Sequence, residues 1–251
     1  MRNLLVEMRF NGSRYHGFQV QENALSITEV VQDAIEKVFK KREPIVGCSR
    51  TDTGVHANSY FFNMKTESKI PCDKFLITMN NNLPRDIAVV SCKEVSLDFH
   101  SRYDCKGKEY IYRIYNAPVK DPFQAEFSLF HQKPIDEKLL NQCAQAFVGT
   151  HDFSAFCSKG GKLGENAKAN ATNVRTIEYI NVFREGSIVT VRIKADGFLY
   201  NMVRIIVGTL LFINDGRIGR DAIPSIISCK DRILAGKTVA PQGLYLNSVE
   251  Y

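Results

Sequence analysis

The sequence predicts an α+β fold made of two halves, and three observations support this. The chain has 251 residues, which suffices for one large domain or for two fused small ones. Its composition, 44% hydrophobic and 24% charged, is that of an ordinary globular protein with a sizeable core. Each half shows strand and helix patterns in the order β-α-β-β-α-β, the split arrangement of ferredoxin-like domains.

An apolar run opens the first half and ends at the turn signal Asn11-Gly12-Ser13, so a strand followed by a turn is predicted. Ser26-Ile27-Thr28-Glu29 is a capping box, and apolar residues recur at helical spacing after it, which predicts a helix starting there. The first strand is Leu4–Phe10. The remaining predicted elements of this half are the strands Pro44–Cys48, Tyr60–Met64 and Ile87–Val90, with a second helix at Pro71–Asn80.

The second half gives the same order without a residue-level repeat, so the shared order can also be coincidence among α+β folds. Its predicted strands are Tyr110–Tyr115, Thr176–Phe183, Ile188–Ile193 and Leu244–Val249, and its predicted helices are Glu137–Phe147, Leu199–Ile213 and Asp221–Leu234. We therefore predict two ferredoxin-like halves, residues 1–104 and 105–251. Their small sheets are expected to join into one broad mixed or antiparallel sheet with a central active-site cleft.

The charge and the cysteines narrow the class of protein. Lys and Arg outnumber Asp and Glu by 33 to 27, and the net charge of +6 favours an anionic partner such as RNA, although the signal is weak by itself. The seven cysteines are scattered without a CxxC pair, which argues for a reducing cytosol and against a disulfide framework or a zinc site. The amino terminus does not resemble a signal peptide, and the apolar stretch Ile205–Ile213 is too short to span a bilayer. We expect a cytoplasmic protein.

The segment Cys157–Asn173 is rich in Gly, Lys and Asn and has no apolar periodicity. One interpretation is a disordered surface loop. The other is a basic flap that becomes ordered on RNA, and the two are compatible.

The stretch Gly47–Ala57, which we call the Asp52 loop, carries the clearest chemical signal. It lies between two predicted strands, with Arg50 two residues before Asp52 and Gly54 two residues after it. Gly54 lets the backbone turn back or permits close approach of a ligand. From chemistry alone, Asp52 is either a functional carboxylate or the head of an Asx-type turn that bonds its own backbone.

Segments along nearly the whole chain, in the same order, resemble the tRNA pseudouridine synthase A family. The Asp52 loop is similar to the family's RTDAGVHA signature, and Phe10–Gln19, which we call the opening motif, is similar to its YDG and GWQ elements. The other matching segments are Asn82–Ile87 (NLPxDI), Phe99–Tyr103 (FHARF), Lys108–Tyr112 (basic-x-Tyr-x-Tyr), Gly197–Gly208 (GFLxxMVRxIVG) and Gly243–Leu246. Thr53, Phe18 and Lys108 depart from the usual alanine, tryptophan and arginine, which bears on fine specificity more than on activity.

The resemblance implies an isomerase that converts uridine to pseudouridine at tRNA positions 38, 39 and 40, in the anticodon stem-loop. It implies that Asp52 is the catalytic carboxylate, which either attacks the sugar or base covalently or removes a sugar proton. Glycoside hydrolases normally use two carboxylates, one of them activating water, so a single carboxylate suits an isomerisation. The implied partner is tRNA, bound by a homodimer, with no cofactor, no metal and no membrane.

Further site residues follow from the resemblance and from the chain itself. Tyr110 matches the family's tyrosine that stacks on the target uracil, although a strand tyrosine otherwise packs in a core. Arg204 lies in an otherwise apolar helix, where a charge needs an anion or must reach solvent. The family match implies that Asp52 is that anion. Arg50 is a candidate to fill the space that the extruded base leaves or to grip phosphates. His56, His100 and Arg102 are RNA-binding candidates.

Three other functions fit parts of the sequence. A catalytically silent RNA-binding module accounts for the charge but not for Asp52 beside Arg50. A metal-dependent nuclease gathers several carboxylates, whereas the Asp52 loop supplies one. An oligomeric scaffold of two ferredoxin-like halves would have no preference for uridine.

Overall fold

A computed structural model describes residues 1–158 and 172–251. Contacts divide the chain into two compact units: the first comprises residues 1–108 and 245–251, and the second residues 109–244. Residues 159–171, on which both interpretations of the segment Cys157–Asn173 depend, lie outside the described part.

The described residues form ten strands and five α-helices. They are β1 (Arg2–Phe10), α1 (Ile27–Phe39), β2 (Val46–Gly47), β3 (His56–Thr66), α2 (Cys72–Asn82), β4 (Ile87–Val95), β5 (Gly107–Asn116), β6 (Leu129–His131), α3 (Glu137–Ala144), β7 (Gly149–Asp152), β8 (Val174–Glu185), β9 (Ile188–Ala195), α4 (Met202–Asn214), α5 (Ile223–Cys229) and β10 (Leu244–Glu250). Within the described residues, no helix combines the length and apolar character that crossing a membrane requires.

The first unit is built on a mixed sheet. β1 pairs antiparallel with β3 and β4, while β10 pairs parallel with β3 and brings Tyr245 opposite His56. α1 begins where the capping box predicted, because the Ser26 hydroxyl accepts a hydrogen bond of 3.2 Å from the Glu29 amide. The helices bury apolar side chains, among them Val31, Ile35, Phe75 and Met79.

In the second unit, the strands follow the order β5-β9-β8-β7, and β6 pairs parallel with β5. α3 lies against β8 and α4. α4 is buried over most of its length, which explains its almost continuous apolar sequence. A cluster of edge-to-face rings, formed by Phe147, Phe153 and Phe156, fills part of this core.

The α+β class is confirmed, and most predicted elements lie within a few residues of their expected positions. The helix predicted from Leu199 begins later, at Met202, because Asn201 adopts a left-handed backbone with φ of 61°. The helix predicted over Asp221–Leu234 is present but shorter, covering Ile223–Cys229. α5 ends at Cys229 since Lys230 is also left-handed, and a separate 3-10 turn follows. The short strands β6 and β7 were not predicted. The ferredoxin-like description of each half and the division after residue 104 remain predictions.

Candidate active site

The Asp52 loop connects β2 to β3 in the first unit, and Asp52 itself is half-buried there. The Val55 amide donates to the main-chain oxygen of Asp52 at 3.2 Å and closes a turn, in which Gly54 has φ of 76°. That positive φ accounts for a glycine at this position. The Gly54 amide, which an Asx turn at Asp52 would use, donates instead to the Tyr15 oxygen at 3.2 Å.

The opening motif holds the Asp52 loop through main-chain hydrogen bonds. In addition to the Gly54–Tyr15 bond, the Phe18 amide donates to the Thr51 oxygen at 3.3 Å. The Gly12 amide donates to His56 Nδ1 at 3.1 Å. Gly12 also passes so close to the loop that a Cβ atom there would stand 1.9 Å from the Val55 oxygen. The opening motif therefore fixes the backbone on either side of Asp52.

A third motif supports the opening motif in turn. Asp86, from the Asn82–Ile87 segment, accepts the Asn11 amide on its main-chain oxygen at 2.9 Å and the Tyr15 hydroxyl on Oδ1 at 2.7 Å. Burial raises the pKa of Tyr15 well above its ordinary value, and the Asp86 carboxylate raises it further. Tyr15 therefore stays protonated and serves as a hydrogen-bond donor.

His56 serves as a packing residue. It is 1% exposed, its Nδ1 accepts the Gly12 amide, and its ring stacks on Tyr245 with centroids 4.6 Å apart. That burial argues against direct contact of His56 with RNA.

Phe18, which stands where the family usually has tryptophan, is also a packing residue. Its ring stacks on Tyr60 at 4.4 Å, and the Tyr60 hydroxyl donates to the Ser49 oxygen in the Asp52 loop. Gly47 leaves room for both rings, since a Cβ there would lie 2.2 Å from the Tyr60 hydroxyl. The stacked rings and the Tyr60 hydrogen bond thus help to hold the Asp52 loop in place.

Arg50, a predicted substrate-binding residue, meets the RNA-binding candidates His100 and Arg102 in the first unit. They line one open cavity of about 430 Å³ together with Phe18, Thr28 and Tyr103. Burial lowers the pKa of the Arg50 guanidinium, and the nearby positive charge of Arg102 lowers it further. Asp52 is not among the residues that line this cavity.

Tyr110 and Arg204 lie in the second unit. Tyr110, on β5, is 6% exposed and meets the ring of Phe198 edge-to-face at 5.0 Å. Arg204, on α4, is half-buried, as its apolar surroundings predicted. Its Nε donates to the Val239 oxygen and its Nη1 donates to Asn201 Oδ1, both at 2.7 Å. The pairing of Arg204 with Asp52 stays a prediction.

The sequence did not single out Tyr15, Asp86, Thr28 or Tyr103. The Tyr15–Asp86 bond joins residues 71 positions apart, and the cavity joins α1 to the Phe99–Tyr103 segment. Membership of the matched motifs was the one available signal for Tyr15, Asp86 and Tyr103. Among the residues that the structure describes, no group of three or more His, Cys, Asp or Glu side chains is arranged to hold a metal ion.

Comparison with known proteins agrees with these motifs. The family model for tRNA pseudouridine synthase matches residues 8–104 and 143–251. A tRNA pseudouridine synthase A of Acetivibrio thermocellus is 42% identical over 251 residues, and one of Thermoanaerobacter sp. (strain X514) is 40% identical; both alignments cover all of each chain. A chain from the solved structure titled "Crystal Structure of a Cbf5-Nop10-Gar1 Complex" aligns with a TM-score of 0.37 at 11% identity, over 82% of this chain and 53% of that one, a likeness too distant to bear on function. The chain belongs to the tRNA pseudouridine synthase family.

Proposed function

We propose that this protein converts uridine to pseudouridine in the tRNA anticodon stem-loop, at positions 38, 39 and 40, with Asp52 as its essential carboxylate. The coarser part follows from the family, which makes the chain an isomerase that acts on tRNA. The three positions follow from the resemblance to the tRNA pseudouridine synthase A family, and the hydrogen bonding around Asp52 supports the role proposed for that residue. The opening motif fixes its backbone, and the Asn82–Ile87 segment supports the opening motif.

The reaction breaks the bond between N1 of uracil and C1′ of the ribose, turns the base, and joins C5 to C1′. C5 loses a proton and N1 gains one, so the atoms balance without water or an external reagent. A single carboxylate can serve this sequence in two ways. It can add covalently and leave again, or it can remove a sugar proton and return it.

Tyr110 and Arg204 are proposed as substrate-binding residues. A tyrosine ring stacks on an unstacked base, and stacking is worth about 1–3 kcal/mol per base by alanine substitution. Arg204 is proposed to keep Asp52 ionised, because a neighbouring guanidinium favours the charged form of a carboxyl group. Hydrogen bonds to Val239 and Asn201 help to hold the guanidinium in one orientation.

The remaining expectations are also proposals. We propose that Arg50 grips the RNA or fills the space that the target base leaves, as base-flipping enzymes require. We propose that the protein acts as a homodimer in the cytoplasm, without a cofactor, and measurement of its mass in solution at micromolar concentration tests the oligomeric state. The scattered cysteines are unpaired, which accords with a reducing compartment.

The test is to map pseudouridine in unmodified tRNA after incubation with the wild-type protein, with Asp52→Asn and with Asp98→Asn. Asp98 is an exposed aspartate in a turn of the same unit and is the matched control. We expect pseudouridine at positions 38–40 with the wild type and the control, and none with Asp52→Asn, although that variant should bind tRNA as tightly. Activity of Asp52→Asn above a few per cent would refute the assignment.

The same reactions distinguish the rival functions. Intact RNA without pseudouridine would indicate a silent RNA-binding module. Cleaved RNA, protected by EDTA, would indicate a metal-dependent nuclease.

A further inference from the structure

The cavity beside the Asp52 loop has the chemistry of a nucleotide site separate from the catalytic carboxylate. We propose that it binds the phosphate and the base of one unpaired nucleotide that neighbours the target uridine. Arg50 and Arg102 would contact the phosphate and Tyr103 would stack on the base. This proposal rests on the proposed function, since it takes tRNA as the ligand.

The first argument is charge. The cavity is lined by two arginines, whereas none of the described aspartates or glutamates lines it. Arg102 lies near enough to Arg50 for its charge to act on the Arg50 guanidinium. Two guanidinium groups that converge on one acid-free cavity repel each other, and a bound phosphate removes that repulsion.

The second argument is an aromatic surface at the rim. Tyr103 is 67% exposed, and its ring stacks on His100 with centroids 4.1 Å apart and an angle of 26° between the planes. One face of the tyrosine is thus supported by the imidazole. A positively charged groove next to aromatic rings is the usual arrangement for binding single-stranded nucleic acid.

The third argument is that the rim is held in place before RNA arrives. Residues 99–104, which we call the rim turn, are closed by His100 Nδ1, which accepts the Arg102 and Tyr103 amides at 3.2 Å each. The His100 amide donates to Asp104 Oδ2 at 2.9 Å, and the Tyr251 hydroxyl donates to the Ser101 oxygen at 2.9 Å. Because Nδ1 is an acceptor, a neutral His100 carries its hydrogen on Nε2, which makes it a further donor.

Donors in this cavity come from side chains rather than from the start of α1. The Ile27 and Thr28 amides already donate to the oxygens of Gly17 and Phe18. The volume of about 430 Å³ lies within the range of small-molecule sites. Arg50 and Asp52 are two residues apart, at most ~7 Å of extended chain, so a nucleotide in the cavity is a close neighbour of the target uridine.

The experiment measures Kd, KM and kcat on unmodified tRNA for Arg102→Gln, Tyr103→Ala and Tyr103→Phe. Arg42→Gln is the control, because it removes the same charge from an arginine already paired with Asp33 and with Glu36, the latter at 3.3 Å. For Arg102→Gln we expect a rise of about tenfold in Kd and KM. The slope of log affinity against log salt, which is negative, should become less steep by ~0.7, the value per single-strand phosphate. We expect kcat to stay within about twofold.

Tyr103→Ala should weaken binding by roughly fivefold or more, because a stacked base is lost, whereas Tyr103→Phe should bind as the wild type does. Substrates that lack one base, at each position flanking the target in turn, then identify the bound nucleotide. Removal of that base should weaken binding to the wild type but not to Tyr103→Ala.

Wild-type affinity and salt slope in both Arg102→Gln and Tyr103→Ala would overturn the site. That result leaves the proposed function intact if the wild type forms pseudouridine. If the wild type binds tRNA but forms no pseudouridine, the proposed function fails, and the site is judged on Kd and salt slope alone.

Discussion

The Asp52 loop and the rim turn both belong to the first unit, but they are held in different ways. The loop is fixed by main-chain bonds to distant residues, such as the bond from Gly12 to His56 across 44 positions. The rim turn is closed mainly by its own members, through His100 and Asp104, and it leaves Arg102 and Tyr103 exposed.

The difference suggests separate tasks. Bond rearrangement at a sugar depends on a carboxylate placed to within a fraction of an ångström, which distant anchors can secure. Capture of a nucleotide depends on charge and stacking, which tolerate small adjustments of exposed side chains. Changes in the loop are therefore expected to act on kcat, and changes in the rim turn on Kd and KM.

The largest effect is expected for the proposed pair of Asp52 and Arg204. Arg204→Met removes the charge, keeps much of the apolar volume and is expected to cut activity severely at neutral pH, because Asp52 loses the cation that favours its ionised form. In urea unfolding, the double variant Asp52→Asn with Arg204→Met should exceed the stability expected from the sum of the single losses by at least ~1 kcal/mol.

The control cycle combines Asp52→Asn with Arg217→Met. Arg217 is the matched arginine because its guanidinium lies over the Phe212 ring at 5.1 Å and is not proposed to pair with Asp52. That cycle should be additive. Additivity in the Arg204 cycle as well would break the proposed link between Asp52 and the second unit.

The next effect concerns the anchoring of the loop. Gly12→Ala places a methyl group against the Val55 oxygen, where the main chain must move. We expect a loss of about 1–3 kcal/mol in the free energy of unfolding. A displacement of the loop by one ångström can lower kcat by about 100-fold.

Gly219→Ala is the matched control, because nothing lies within 4 Å of a Cβ atom there. Wild-type kcat in Gly12→Ala would show that Asp52 does not depend on this anchor.

A smaller effect is expected for the Tyr15–Asp86 hydrogen bond. Tyr15→Phe removes the hydroxyl and leaves Asp86 Oδ1 without that donor, which should lower the free energy of unfolding by about 1 kcal/mol. We expect a kcat reduced by several-fold with an unchanged Kd for tRNA. Tyr200→Phe, at a half-exposed tyrosine, should alter neither quantity. A selective change in Kd would place Tyr15 with the binding residues instead.

The smallest effect concerns Asp152 in the second unit, outside both regions. Lys230 Nζ lies 2.7 Å from its carboxylate, and this bond, followed by that from Ser154, holds the pKa of Asp152 below its ordinary value. A lowered folded-state pKa contributes stability above the unfolded pKa, which is lost as pH falls through the folded one.

Lys230→Gln should therefore flatten the dependence of the urea midpoint on pH between about 5 and 2. Activity at neutral pH should not change. An equally steep pH dependence in Lys230→Gln would show that the ion pair contributes nothing to it.

The fold could be predicted where signals are local. The capping box set the start of α1, and two strand patterns on either side of the turn Arg184-Glu185-Gly186 identified β8 and β9. The start of α4 and the end of α5 could not be predicted, because the non-glycine residues Asn201 and Lys230 adopt left-handed backbones there.

For the site, motifs identified Asp52 and its surroundings, but not how they are held. The role of His56 follows from contacts with Gly12 and Tyr245, which come together only in the folded sheet. The cavity likewise unites Thr28 with the rim turn, and no pattern within either segment indicates the other.

The most direct test of separate tasks is a single-turnover measurement with enzyme in excess over tRNA, combined with Kd on the same tRNA, for Asp52→Asn and Arg102→Gln. The account predicts that Asp52→Asn loses the rate of pseudouridine formation and keeps Kd. Arg102→Gln should keep the rate at saturation and raise Kd. A variant of the loop that binds poorly but reacts normally when saturated, or a rim variant that binds normally and reacts slowly, would contradict it.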